Sequence, residues 1–402
     1  ESGRVTVQAG CKWLDVYNAL QDVDPALVVL GGQCPSVGVA GFLLGAGLSP
    51  WSRSYGLGCD TVQRIELVTA DGRIHNLRRD SQADQDLFWA TNGGGGGNFG
   101  VATEFELDLH RLDPAHPGVV TCGRLQWSPL TKDEPARAFQ GAMIGLNDLT
   151  DNALAIDAFI GFNDHGEGDD LIGEFTVLYN GSMPAYRATI AKIIDGKDPN
   201  SMDLKEMHFH DWEKSEIGFD PQKSEISHHH VSFILPKGVI SEQFVTDLVM
   251  LMKDSPRLGL KGESGKRKNQ CHILWDHIGG KTTETAPAAT AFYWRGGEFV
   301  MTAKVVWSDP RDEAQALAWT TWCKEVLTKY AIDGQAAYIN YIDAQLAGWE
   351  AAYYGDNYPR LQQVKQAVDP DNFFNFPQSI RLPSKKQAAS APGDRPSKKS
   401  RS

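Results

Sequence analysis

Between Gly31 and Asp60 the chain reads GGQCPSVGVAGFLLGAGLSPWSRSYGLGCD, with glycines at 31, 32, 38, 41, 45, 47, 56 and 58 threaded through apolar residues. Such glycines let the backbone take positive φ or approach a ligand closely, and free N–H groups in the loops between them cradle phosphates. The stretch has the composition of a nucleotide-cofactor cradle. A Gly-rich connector between strands has the same density, so glycine count alone does not separate the two.

Two further blocks narrow the choice. Asp86-Leu87-Phe88-Trp89-Ala90 precedes a run of glycines, Gly93 to Gly97, and then Asn98-Phe99-Gly100-Val101. Near the other end stand Tyr338-Ile339-Asn340-Tyr341 and Asp369-Pro370-Asp371-Asn372-Phe373-Phe374, closing on Gln378-Ser379-Ile380. Gly95, Gly97 and Gly100 also satisfy GxGxxG, but a dinucleotide turn needs a strand before it and a helix after it. Here Asp84 to Thr91 is predicted as a short helix and Val101 to Leu107 alternates as a strand, so a Rossmann site is rejected.

These motifs, in this order, resemble the vanillyl-alcohol oxidase superfamily, specifically its berberine bridge enzyme-like and oligosaccharide oxidase branch, from about Val5 to about Ile380. The resemblance implies an α+β chain: the second half of a PCMH-type FAD-binding domain, and a substrate domain whose antiparallel sheet is covered by helices on one face and roofs the isoalloxazine ring. It implies FAD held by Cys34, Pro35, Val37, Gly38, Gly41, Gly45, Gly47, Gly56, Leu57, Asp60, Gly97, Asn98, Gly100, Val101, Tyr338 and Asn340. Cys34 corresponds to the residue that forms a 6-S-cysteinyl bond to the flavin. Val37 stands where a gatekeeper governs dioxygen access, and Tyr341 where a base takes the substrate proton. Phe42 departs from the pattern, which has a histidine there reaching the ribityl chain. The family also carries a preceding segment with a Gly-rich pyrophosphate loop and a second, histidyl flavin bond; nothing here matches it, and the chain is expected to be an N-terminally truncated piece.

The activity this implies is hydride transfer from an alcohol or C–H of a carbohydrate or secondary metabolite to flavin N5, with O2 as acceptor. Rival readings are a dehydrogenase or oxidative cyclase on the same scaffold, or a flavin-free binding protein.

The residues have plainer readings too. Cys34 before Pro35 is biased toward extended backbone, yet a small thiol also fills cores. A strand through 338–341 would place Tyr338 and Asn340 on one face and Tyr341 on the other. A phenol, with an ordinary pKa near ~10, needs help to act as a base at neutral pH. The alternative is a structural cluster with Tyr330, Tyr353, Tyr354 and Tyr358. His208 and His210 would share a strand face, and His228-His229-His230 is dense, but no partner at a recognised spacing completes a metal site, and none is expected.

At 402 residues and 41% hydrophobic content there is material for two domains with substantial cores. No apolar run approaches the roughly 18 residues of a membrane span. A formal charge of -12 argues against nucleic acid or anionic membrane as a partner and leaves small molecules. Six cysteines without CxxC spacing do not fix the compartment; secretion is the expectation from the resemblance, though no signal peptide precedes Arg4. Oligomeric state is left open.

Predicted boundaries follow Pro114 and Pro117: flavin unit 1–113, substrate domain 114–330, a returning segment 331–383, and a basic, disordered tail 384–402. Predicted elements include a helix over Lys12–Gln21 with Trp13, Val16, Tyr17 and Leu20 on one face, and a hairpin about Asp71-Gly72. Strands are predicted at Leu154–Phe162, Glu174–Leu178, Val231–Leu235, His272–Ile278 and Phe299–Val306, and helices at Pro184–Ile194, Ser241–Lys253, Asp312–Tyr330 and Pro359–Val368.

Overall fold

Two antiparallel sheets carry the molecule, each opposing a different apolar core. The computed structural model describes residues 3–163, 168–216, 227–259, 261, 265 and 267–384; of the tail expected over 384–402, all but its first residue lies outside them.

The first unit runs β1 (Arg4–Gln8), α1 (Trp13–Val23), β2 (Leu27–Val28), α2 (Val39–Leu44), α3 (Ser52–Tyr55), α4 (Gly58–Thr61), β3 (Val62–Val68), β4 (Ile74–Arg78), α5 (Gln85–Thr91), β5 (Val101–Asp108) and β6 (His110–Arg111). Its sheet has the order β1-β5-β3-β4, and β2 pairs with β6. The apolar stripe of α1 is the expected one: Trp13, Val16, Tyr17 and Leu20 are buried. Helix α5 precedes the glycine run and β5 follows it, the reverse of a dinucleotide turn.

Beyond Pro117 come β7 (Val119–Trp127), α6 (Asp133–Gly145), β8 (Leu154–Phe162), β9 (Leu171–Tyr179), α7 (Met183–Ile194), β10 (Ser201–His208), α8 (Phe209–Ser215), β11 (Ser227–Pro236), α9 (Glu242–Lys253), β12 (His272–His277), β13 (Gly297–Trp307) and α10 (Glu313–Leu327). The seven strands form one sheet in the order β10-β7-β9-β8-β12-β13-β11, antiparallel throughout. Alternation along each strand sends Ile156, Ala158, Phe175, Val177, Ile273, Trp275, Met301 and Ala303 to one face. There they meet Phe139, Ile190, Leu248 and Trp319 of α6, α7, α9 and α10. The opposite face is mixed: Asp157, Thr176, Asp276 and Lys304 share it with Val120, Leu178, Ile234 and Val300, which join the other cores.

The chain then returns: Ala336 to Ile339, α11 (Trp349–Tyr354) and α12 (Tyr358–Val368) pack into the core around Trp13 and Phe42. That core also takes Ile234, Phe292, Trp294 and Val300 from the middle of the chain, so the two units share apolar contacts.

Two expectations are corrected. The segment 338–341 is a turn, closed by the Tyr341 N–H donating to the Tyr338 carbonyl at 3.0 Å, and not a strand. His208 ends β10 while His210 lies in α8, so they share no strand face.

Candidate functional site

The Gly31–Asp60 segment folds as a loop clipped to the start of α1. Trp13 N–H donates to the Val37 carbonyl at 3.0 Å, Leu14 N–H to the Pro35 carbonyl at 2.9 Å, and Val39 N–H to the Cys11 carbonyl at 2.9 Å. These bonds bury Pro35 and leave Cys34, Val37, Gly38 and Gly41 facing outward. Between this loop and the mixed face of the large sheet lies a cavity of about 690 Å³. From the loop it is lined by Cys34, Val37, Gly38, Gly41 and Phe42; from the sheet by Asp157, Thr176, Leu274 and Asp276; and from the returning segment by Tyr338, Asn340 and Tyr341.

The Cys34 thiol is exposed, 3.1 Å from the Ser36 hydroxyl. A Cβ at Gly38 or Gly41 would meet nothing within 4 Å, so bare backbone fronts the cavity there. Gly45 and Gly47 are glycines for another reason. A Cβ at Gly45 would overlap the Asn340 carboxamide, and Gly47 has φ +82 with the Phe42 ring against it. Through these close approaches the Tyr338 hydroxyl accepts from Gly47 N–H at 3.1 Å and from Asn340 Nδ2 at 3.2 Å, and Nδ2 also donates to the Phe42 carbonyl at 3.2 Å. Phe42 itself packs edge-on against Trp13, ring centroids 5.0 Å apart.

The turn at 338–341 sets the Tyr338 and Tyr341 rings edge to face at 5.1 Å, both on the cavity. The Tyr341 hydroxyl donates to Asp276 Oδ2 at 3.3 Å. Burial pushes Asp276 up to about 6, with the tyrosine hydrogen bond drawing it the other way. Asp157 beside it accepts from His277 N–H at 3.2 Å and is pushed well up by burial and then by the Asp276 charge. Tyr341 is raised well above an ordinary phenol, first by burial and then by Asp276. A free phenolate is therefore disfavoured at this site, and the carboxylate is the stronger base of the pair at neutral pH. No motif announced Asp157 or Asp276. The available signal was a lone carboxylate in an otherwise apolar strand, LAIDAFIGF and HILWDH.

The remaining expected residues lie apart from the cavity. Asp60 accepts from Leu57 N–H at 2.9 Å and pairs with Arg295 at 2.7 and 2.8 Å. Asn98 Nδ2 donates to the Gly94 carbonyl at 3.0 Å while its Oδ1 accepts from Ile380 N–H at 2.9 Å, tying the glycine run to the returning segment. Gly56 and Gly100 are packed against Asp60 and Val68, whereas Gly97 is exposed and Val101 is 57% exposed. Among the described residues no group of three or more His, Cys, Asp or Glu is placed to hold a metal, and no helix is long and apolar enough to cross a membrane.

Known proteins are similar to this chain in sequence and in fold. Residues 1–78 match the family described as FAD binding domain, and residues 337–381 match Berberine and berberine like. The FAD-linked oxidoreductase YvdP of Bacillus subtilis (strain 168) is 27% identical over 350 residues, covering 87% of this chain and 72% of that protein. Berberine bridge enzyme-like 12 of Arabidopsis thaliana is 28% identical over 402 residues, covering 94% and 72%. The solved structure of a berberine bridge enzyme variant superposes with a TM-score of 0.79 at 20% identity, covering 95% of this chain and 77% of that one. Two family matches at opposite ends of the chain meet in one core, and the fold between them is shared, so the chain belongs to the berberine bridge enzyme-like FAD-linked oxidoreductases.

Proposed function

We propose that the chain is an oxidase of alcohols or activated C–H groups on small molecules, carbohydrates or secondary metabolites, and that Cys34 anchors its FAD covalently. The observation that carries this reading is the Tyr341–Asp276 hydrogen bond set over a cavity whose opposite wall is an exposed thiol and bare glycine backbone. Those features fit a flat ring lying close to backbone, with Cys34, Gly38, Gly41, Tyr338 and Asn340 as the residues that would hold it. FAD held there would supply the hydride acceptor and the route by which the electron pair reaches O2 to give hydrogen peroxide.

The protein's own part is proton handling and exclusion of water. Tyr341 Oη accepts the substrate hydroxyl proton as its own proton passes to Asp276 Oδ2, so the proton ends on the carboxylate, which becomes the neutral acid, and the phenol is neutral before and after. Asp157 is pushed well up, first by burial and then by the Asp276 charge, which disfavours a second negative charge beside it. Val37, 39% exposed on the cavity, leaves a small apolar surface for dioxygen. Phe42 replaces a hydrogen-bond donor by a ring, which fits a cofactor seated by packing and by Cys34.

The test is made on protein carrying FAD. After acid denaturation, flavin absorbance should stay with the polypeptide, and Cys34→Ala should release it; turnover should consume O2 and form peroxide. Flavin fully released from the wild type would sink the covalent link, and turnover with artificial acceptors but not O2 would sink the oxidase reading.

A further inference from the structure

Lys304 on β13 is a half-buried cation, and among the described residues no carboxylate lies within ion-pair distance of it. A buried ammonium is retained where something negative pairs with it. Its neighbours Ala303 and Val305 point into the helix-covered core, so Lys304 belongs to the other face of the sheet, the one that carries Leu274 and Asp276, and stands beyond the residues that line the cavity itself. In register it stands directly opposite His230 of β11 and His272 of β12, and cross-strand partners share a face. Two and four residues on from His272 are Leu274 and Asp276, both lining the cavity, and the His230 ring lies 5.6 Å from that of Tyr341.

The two imidazoles are donors rather than charges. His272 and His230 are each pushed down to about 4, first by burial and then by neighbouring cations, so both are neutral at neutral pH. Neither has a hydrogen-bond partner among the described residues. One positive charge flanked by two N–H donors that no described protein group occupies suits a group with a single negative charge shared between two oxygens. Four residues on from His272 the cavity wall is acidic through Asp276, whose carboxylate would repel the same group; Asp157 beside it is pushed up by burial, and Glu216 is paired with Arg124 at 3.0 Å.

We propose that Lys304, with His230 and His272 beside it, is the subsite for a carboxylate on the substrate, so that the compound oxidised is a hydroxy acid, such as a uronic acid or a carboxylated benzylic alcohol. The inference rests on reading the cavity as the substrate site. Attraction at Lys304 and repulsion at the acidic end orient such a molecule with its carboxylate away from Asp276 and its reacting carbon toward Tyr341.

Binding, not turnover, tests it. Calorimetric titration of the full chain compares two matched pairs: galacturonate against galactose, and benzoate against benzamide. Each acid should bind about 10–100-fold more tightly than its neutral partner, the range for a hydrogen-bonded charge. The gap should narrow with added salt, close in Lys304→Met and persist in Lys304→Arg. Equal affinity within both pairs for the wild type, a comparison that needs no variant, overturns the subsite; so does a gap that survives in Lys304→Met. The two readings fail separately: acids bound through Lys304 by a protein that never reduces flavin leave the subsite standing, and flavin reduced by neutral alcohols with no acid preference refutes the subsite alone.

Discussion

At Tyr341 the chemistry reduces to which atom ends up with the proton. The phenol is pushed up by burial and by Asp276, while Asp276 is raised to about 6, so in the proposed mechanism the carboxylate would be the terminal acceptor and the phenol a relay. Tyr341→Phe keeps the ring's packing and deletes the relay; flavin reduction by substrate should slow by ~10²–10⁴, the usual worth of general acid–base catalysis. A change of only a few-fold would remove Tyr341 from the mechanism. The pH dependence has a defined sign. The active form of Asp276 is the carboxylate, so the reduction rate should climb as pH rises through about 6 and level above it. In Asp276→Asn the rate should be low and that limb absent. Because Asp157 titrates with Asp276, the limb reports the pair, and a profile flat from pH 5 to 8 in the wild type would show that neither carboxylate governs the step.

At the scale of elements, the short helix α2 and the turn at 338–341 make one device, and glycines at four places in it do two different jobs. Gly41→Ala adds a methyl that meets no protein atom and suits a helix interior better than glycine, so thermal stability should hold or rise slightly. The same methyl projects into the cavity, so FAD content should fall. Gly47→Ala should behave in the opposite way. Its φ of +82 and the Phe42 ring against it predict a loss of roughly 1–3 kcal/mol from backbone strain alone, visible as a lowered Tm. Equal Tm changes in the two variants would show that the distinction is wrong. The elements legible from sequence were those with their own periodicity, such as the stripe of α1 and the hairpin of β3 and β4. Strand β10, SMDLKEMH, was missed because it is an edge strand, mostly exposed, with β7 its only neighbour among the described residues, so no apolar face had to be written into it. Strand β7 was hidden by Gly123, where the Asp203 carbonyl presses against the backbone. Cys34, Tyr338, Asn340 and Tyr341 were legible as motifs. Asp157, Asp276 and Lys304 were not, because their meaning depends on register across β8, β12 and β13, which no local pattern encodes.

At the scale of the whole molecule, the site exists only if the loop bearing Cys34 and the sheet bearing Asp276 keep their mutual position. Two buried ion pairs hold the small helices of the first unit to the sheet. Arg295 grips Asp60 just after α4 begins, and Arg53 of α3 reaches Glu298 of β13 at 2.8 Å, with His277 also bonded to Glu298 at 2.9 Å. Arg53 is 1% and Glu298 4% exposed, so neither has water as an alternative partner. Burial lowers His277 to about 4, and it stays neutral, which leaves Arg53 as the charge that balances Glu298. Arg53→Met should therefore strand a buried carboxylate and destabilise the fold by ~3–5 kcal/mol. Removing both charges while keeping volume, in Arg53→Met/Glu298→Gln, should recover much of that loss, because a buried pair repays little beyond its own desolvation. Denaturant unfolding of the two single variants and the double variant measures the coupling. A double variant as unstable as the sum of its parts would mean that the pair is not what joins the units. If stability returns in the double variant but flavin reduction does not, Arg53 and Glu298 are acting on the registration of Asp276 over Cys34, since His277 and Asp276 are adjacent on β12.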